Sequence, residues 1–585
     1  MHLGFRISGP TLRVLAALVV LGAAVTAWAI VTDMTDVRIV HQPAAAHVDQ
    51  NELLTLVKTG QRAQAFTDAF EEGDELFETN FNALDGGGAN VGRGQRFTRV
   101  PRADLSGPGE WASHTPARVT GPNANACNQC HIRPFDDGAG DASANVHRDA
   151  FRTGQVGQFV QRNTPHLFAP GAIQRLAEEM TDELHARRQQ VRDAACRLGG
   201  TRTIALQAKG IDFGTLAATR TSGGGTCQVT FNTDGVRGVD FQPSVDNPAA
   251  DPDLIIRPFQ WKGSVPFLRD FNRGASHNEL GMQAVEIVGD GVDGDFDGVA
   301  NEMTVGDQTA LAIYLAAQPR PTSLVELSAL GLIETLPAAR AANIARGFVV
   351  FNQVGCAACH VPALAINNPV FSEPSQNEAY RDGAAFPAGQ NPITRGVDPA
   401  FPITFDLTRD QPDNVIQLGG GRTFRLGSLR RDSRGRGIVE LFGDLKRHEM
   451  GPRLAEAVNE IAGDDVTPIP VNPRNRHTPS AFLTENLWGV GSTAPYMHDG
   501  RATTITEAIL EHATNAQNDP SEAAPSRRAY LARPAADKQA LVAFLENLVL
   551  FKVEEVEGEA VATVAPSNVN LRVPRLHRPR QKTSP

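Results

Sequence analysis

Two five-residue motifs, Cys127-Asn-Gln-Cys130-His131 and Cys356-Ala-Ala-Cys359-His360, constrain this chain more than any other feature. In each, two thiols are spaced to add across the two vinyl groups of a porphyrin, and a histidine directly after the second thiol can reach the iron from below. Structural zinc also uses a Cys-x-x-Cys pair, but it needs a second Cys or His pair of matching spacing, which neither motif has close by. A dithiol redox centre expects a strand-helix-strand setting and has no use for the histidine. The two motifs therefore read as attachment sites for two haems c. Cys127, Cys130, Cys356 and Cys359 supply the thioether links, and His131 and His360 each supply one axial ligand.

Haem c is attached outside the cytoplasm, and the N-terminus agrees. Arg6 and Arg13 precede an apolar run from Val14 to Val25, then Ala27-Trp28-Ala29, which matches a secretory signal over residues 1–29 with cleavage near Ala29. An uncleaved segment would instead be a membrane anchor, and only in that case is the protein attached to a membrane. The expected location is a bacterial periplasm. Of the six cysteines, Cys196 and Cys227 lie outside the motifs. In an oxidising compartment they are expected to form a disulfide, two free thiols being the alternative. Between them, Thr203–Ala208 and Cys227–Phe231 alternate like strands around Ser222-Gly-Gly-Gly, so a small β insertion over about 196–245 is expected.

The chain has 585 residues, too many for one core, and its 54 glycines and 38 prolines point to long irregular connections. The expected class is mainly α: two cytochrome c-like haem domains with a small β insertion and long loops. The boundaries are 30–340 and 341–552, followed by a disordered basic tail over 553–585. Ala338 to Phe351 reads as an amphipathic helix with Ile344, Phe348 and Phe351 on one face, running directly into the second motif. A shorter helix is expected around Asp74–Phe77, about 50 residues before the first motif. The formal charge of −11 is modest and has no basic block in the body, which argues against a nucleic-acid partner. Acidic stretches at Asp290–Asp297 and Glu554–Glu559 could steer a basic redox partner.

Four further segments resemble known sequences. Arg257-Pro-Phe-Gln-Trp261-Lys-Gly, followed by His277-Asn-Glu279-Leu-Gly-Met282, is similar to the Trp-x-Gly and Glu-x-Gly stretch of bacterial di-haem cytochrome c peroxidases. Asn163-Thr-Pro-His166-Leu-Phe168 resembles the segment of that family near the first haem, with His166 a weaker pocket candidate. Arg447-His448-Glu-Met450-Gly-Pro, and Thr478 through Trp488 to Ala494-Pro-Tyr496-Met497-His498-Asp-Gly-Arg501, resemble the C-terminal part of the di-haem oxidoreductase family. The resemblance extends, more distantly, to rubber oxygenases. The resemblance spans roughly residues 65–550.

The resemblance implies a division of labour. The His131 haem meets hydrogen peroxide, with Glu279 as acid/base, while the His360 haem receives electrons from a small periplasmic cytochrome or cupredoxin and passes them through Trp261. An indole between two macrocycles bridges a redox gap, and a pocket carboxylate can move a proton between peroxide oxygens. For the sixth ligand of the second haem the candidates are His448, Met450, Met497 and His498. Dioxygen-dependent cleavage of polyisoprenoids and non-catalytic electron transfer are the rival functions. They differ in what, besides water, faces the His131 iron.

Asp290-Gly-Val-Asp293-Gly-Asp295-Phe-Asp297-Gly298 places alternate carboxylates in a tight loop, for which calcium is the natural occupant through Asp293, Asp295 and Asp297. It departs from an EF-hand loop, because the twelfth position counted from Asp293 is Thr304. A solvated acidic turn is the alternative.

Overall fold

Helices with small residues at their crossing points build the two cores. Helix Arg62–Glu78 lies against helix Val305–Ala316, every residue of which is buried. Gly73 makes the crossing possible, because a methyl group there would run into the backbone carbonyl of Ala310. Phe70 and Phe77 then pack on Tyr314 at 5.5 and 5.3 Å between ring centroids. Thr304 caps the buried helix and Asp307 reciprocates, a capping box that satisfies N-terminal amides where water cannot. In the C-terminal half, helix Ala338–Gln353 packs on helix Ala535–Glu546, and Gly347 sits directly against the Ala540 carbonyl. The first core includes Cys130, with Cys127 packed against it; the second includes Ile344, Phe351, Phe442, Leu541 and Phe544, with Cys356 against it.

These coordinates are a computed structural model that describes residues 42–88, 97–98, 122–148, 159–221, 227–241, 251–377, 392–418, 422–456, 478–556 and 559–564. The signal segment 1–29 and residues 565–585 of the basic tail lie outside them. The described residues from Ala44 onward form one unit by their internal contacts. No helix among the described residues is long and apolar enough to cross a membrane.

Inside the stretch read as a β insertion, a third strand joins the two seen in the sequence. Thr201–Ala208, Ile211–Thr221 and Gln228–Asn232 make a three-stranded antiparallel sheet, packed on the long helix Pro170–Leu198 through Leu206, Phe213 and Leu216. The disulfide Cys196–Cys227, with a Cα–Cα distance of 5.8 Å, ties the end of that helix to the third strand. Closing a loop of 31 residues removes denatured-state entropy worth roughly 3–4 kcal/mol.

The expectation of a mainly helical fold is corrected by the structure: 36% of it is helical and 18% strand, in several small sheets. Much of the added strand lies between the second motif and the C-terminal helices. Leu364–Ile366 pairs with Gly437–Val439, Val370–Glu373 with Ile403–Asp406, and Arg447–Glu449 with Ala481–Leu483. Ladders of three or four residues are too short to display an alternating pattern, and their partners are remote in sequence, so periodicity does not reveal them. Phe551–Val556 and Glu559–Val564 pair antiparallel.

Candidate functional site

The second motif is built by the helix that precedes it. Helix Ala338–Gln353 ends at Val354, and Gly355 turns the chain at φ 89°, a left-handed conformation that a side chain would strain. The Cys356 carbonyl then accepts from the amides of Cys359 at 3.3 Å and His360 at 3.0 Å, which curls both thiols and the imidazole around one point. The His360 Nδ1 lies 3.1 Å from the Phe442 carbonyl and donates to it, leaving Nε2 as the lone-pair nitrogen. Burial, helped by His512 nearby, pushes this histidine down to about 4, so it is the neutral, metal-binding form.

Opposite it stands His512, which the sequence reading missed. The two ring centroids are 6.3 Å apart with planes at 63°. His512 Nδ1 donates to the Ala508 carbonyl at 2.7 Å, so its Nε2 is also the free nitrogen, and burial lowers its pKa. Two imidazoles bound to one metal from opposite sides, each with a metal–nitrogen distance of about 2.0–2.1 Å, have centroids roughly 6 Å apart.

The four candidates named from sequence all line this second cleft. His448 is engaged at both nitrogens, Nε2 with Asp444 at 2.9 Å and Nδ1 with Glu522 at 2.8 Å. Burial opposes its protonation, but Asp444 and the Cys359 sulfur outweigh it and raise its pKa to about 9. A doubly engaged imidazolium has no lone pair for iron. His498 is stacked on Phe482 at 4.3 Å and stands edge-on to Trp261 at 6.4 Å; burial and the cations Arg162, Lys262 and Arg501 push it down to about 2. Met450 and Met497 are half-buried in the wall.

The first motif repeats the local geometry. The Cys127 carbonyl accepts from Cys130 N at 3.2 Å and His131 N at 3.4 Å. Burial, then Cys130, pushes the Cys127 thiol up to about 12, and burial lowers His131 to about 4 against the nearby Asp137 and the carbonyls of Gly138 and Pro165. Phe77 lies 6.1 Å from the His131 ring. Glu279 lines this cleft on a π-turn, Ser276–Leu280, an irregularity that recurs at functional sites. Its Oε2 accepts from Asn123 Nδ2 at 2.5 Å, and its backbone carbonyl accepts from the amides of Asn123 and Ala124, which lead directly into Cys127. His166 also lines the cleft, but its Nε2 donates to the Trp488 carbonyl at 3.0 Å and its Nδ1 accepts from Phe168 N at 3.1 Å. It is a satisfied, neutral histidine.

One partition separates the clefts. Trp261, Asn163–His166 and Leu483–Asn486 line both. Trp261 Nε1 donates to the Asn163 carbonyl at 2.9 Å, and the Trp261 carbonyl accepts from Leu483 N at 2.9 Å, so the indole is fixed to both strips of the partition. Lys262 beside it donates to the carbonyls of Thr478, Pro479 and Ala481, pairs with Glu456, and sits 3.7 Å over the Phe482 ring.

The residues fit haem c on their own chemistry. The four motif thiols are free while Cys196 and Cys227 are bonded, and each motif histidine is half-buried, neutral and on the wall of a deep, largely apolar cleft. The acidic loop also gathers: Asp293, Asp295 and Asp297 can bring one oxygen each within 4.8 Å of the others. Both oxygens of Asp295 are buried with no hydrogen-bond partner, and burial followed by Asp297 and Asp293 pushes its carboxyl up to about 7. Glu302, 1% exposed, accepts from Gln283 N through Oε2 and has an unpartnered Oε1; burial is the main cause lifting it to about 9.

No curated protein matches the chain. Among solved structures, one described as "Crystal structure of a MauG-like protein associated with microbial copper homeostasis" covers 54% of this chain and 79% of its own at 15% identity, but the TM-score of 0.24 is too low to carry an argument. Residues 439–548 match the family described as "Di-haem oxidoreductase, putative peroxidase". That span holds His448, Met450, Trp488, Met497, His498 and His512, and neither Cys-x-x-Cys-His motif. Over its C-terminal part, from Val439 to Leu548, the chain carries the pattern of the di-haem oxidoreductases, in line with the resemblance read there from its sequence.

Proposed function

We propose that this chain is an exported di-haem c-type oxidoreductase that reduces hydrogen peroxide with electrons from a small redox protein, a cytochrome or a cupredoxin, in the periplasm. The observation that carries the reading is the pair of clefts, each with one Cys-x-x-Cys-His motif in its wall, sharing a partition that contains Trp261.

When bound, the haems supply redox-active iron on both sides of that partition. Cys127, Cys130 and His131 would hold one, and Cys356, Cys359 and His360 would hold the other, with His512 in the same cleft as a further imidazole donor toward it. Trp261 is the bridge between them, kept in register by Asn163. Glu279 stands at the first cleft as the group that takes a proton from one peroxide oxygen and returns it to the other, and Asn123 orients its carboxylate. Among the described residues the first cleft has, besides His131, the one histidine His166, already engaged at both nitrogens, and no lining methionine, which supports catalysis over simple electron carriage. Calcium is the proposed occupant of the Asp293–Asp297 loop. There it would relieve the crowding of Asp295 and Glu302, the latter hydrogen-bonded to the segment that follows Glu279.

The test is peroxide turnover by half-reduced holoprotein matured in a periplasm, with a reduced small cytochrome as donor. Rapid donor oxidation that is lost in Glu279→Gln supports the reading. No turnover, with both haems low-spin, turns it toward electron transfer; dioxygen uptake on a polyisoprenoid without peroxide turnover turns it toward the cleavage enzymes.

A further inference from the structure

Glu485 is a carboxylate in a place where the rest of the partition is neutral or already paired. It lines both clefts, in the strip Leu483–Asn486 that faces Trp261 and Asn163–His166. The strip is clamped on either side: Leu483 N donates to the Trp261 carbonyl and Thr484 N to the Lys446 carbonyl at 3.0 Å. Leu487 N and Trp488 N both donate to the Leu441 carbonyl, at 3.0 and 3.3 Å. These bonds fix the backbone on both sides of Glu485.

The charged and titratable groups around the same clefts are committed elsewhere. Arg162 and Lys262 pair with Glu456. His448 is held between Asp444 and Glu522. Glu279 is bound by Asn123, and Arg527 donates to the carbonyls of Leu510 and Thr514 and to Asn515. Burial lowers the pKa of His131, His166, His360, His498 and His512 and so favours their neutral forms. Among the described residues no cation pairs with Glu485. Burial accordingly pushes its carboxyl up to about 7, opposed by the Asn486 backbone.

An electron arriving on either side of this partition adds a negative charge to a region of low dielectric that Glu485 lines. Two like charges close together in such a medium repel strongly, and the group that can shed its charge does so by binding a proton. We propose that Glu485 is a redox-linked proton site: the first one-electron reduction of the holoprotein is accompanied by uptake of one proton on its carboxylate. The step balances as oxidised protein with ionised Glu485, plus one electron from a small one-electron donor, plus one proton from solvent, giving reduced protein with a neutral Glu485 carboxyl. Glu485 touches neither substrate nor iron in this account; it acts by its charge.

The inference rests on the two-haem reading, and the experiment keeps the two apart. Full-length holoprotein, first shown by its absorption spectrum to carry two haems c, is poised in a spectroelectrochemical cell between pH 6 and pH 9. The expected result is a reduced-to-oxidised ratio at fixed potential that is level on the acid side and falls toward tenfold per pH unit on the alkaline side. Glu485→Gln, which keeps the side chain's shape, should flatten that dependence and abolish proton release to an indicator dye on reoxidation. A pH-independent wild-type ratio, or the same slope in Glu485→Gln, overturns the proposal. Absence of haem c overturns instead the reading beneath it.

Discussion

Replacing His512 with alanine should convert one of the two haems from low spin to high spin and leave the other unchanged. The ring centroids of His360 and His512 are 6.3 Å apart, the spacing of two imidazoles on opposite sides of one metal. Each ring directs Nδ1 to a backbone carbonyl, of Phe442 and of Ala508, so in each the Nε2 keeps its lone pair. The substitution deletes one hydrogen bond to a carbonyl near the end of the short helix Ile505–Glu511, a cost of about 1–3 kcal/mol, which a domain with 5–15 kcal/mol of stability tolerates. The variant should therefore fold and bind haem. Its visible and electron paramagnetic resonance spectra should show about half of the haem changed in spin state relative to wild type, and added imidazole should restore the lost low-spin signal. The reasoning is refuted if the spectrum of His512→Ala matches wild type while alanine at His448, Met450, Met497 or His498 removes the low-spin species.

Four further outcomes follow. Cys196→Ser with Cys227→Ser should lower stability by roughly 3 kcal/mol in a denaturant titration while leaving the haem spectra intact, because the disulfide staples the β insertion and not a cleft. Gly347→Ala should destabilise by about 1–3 kcal/mol, since the added methyl meets the Ala540 carbonyl; an unchanged unfolding midpoint would show that the helices separate easily. His448 carries a raised pKa of about 9, so the stability it contributes is complete below its unfolded value near 6.5 and lost as pH rises through 9. His448→Gln should flatten that alkaline decline, and an undiminished decline would place its origin elsewhere. Calcium should raise the melting temperature of chelator-treated protein, and Asp295→Asn should abolish the rise; equal melting curves with and without calcium would leave the loop an acidic turn.

The sequence alone was enough where chemistry is local. Five contiguous residues place two thiols and an imidazole, and the structure shows each set curled around one carbonyl beside a cleft. The same holds for the helix leading into Cys356, for the outer strands of the insertion, and for the pairing of Cys196 with Cys227, which is the one pair of cysteines outside the motifs. What sits opposite His360 could not be read this way. Four side chains in suggestive loops were candidates, His448 and Met450 ahead of Met497 and His498, and tertiary packing gave His448 to two carboxylates, stacked His498 on Phe482, and brought up His512 from a short helix that carries no motif. The mixed α and β character was hidden for the same reason, because Arg447–Glu449 acquires a strand's hydrogen bonds only once Ala481–Leu483 lies alongside. A ligand, a ladder partner or a lone carboxylate such as Glu485 is defined by what the fold places across from it. Distance along the chain carries no information about that, whereas covalent attachment of a haem depends on spacing along the chain and little else.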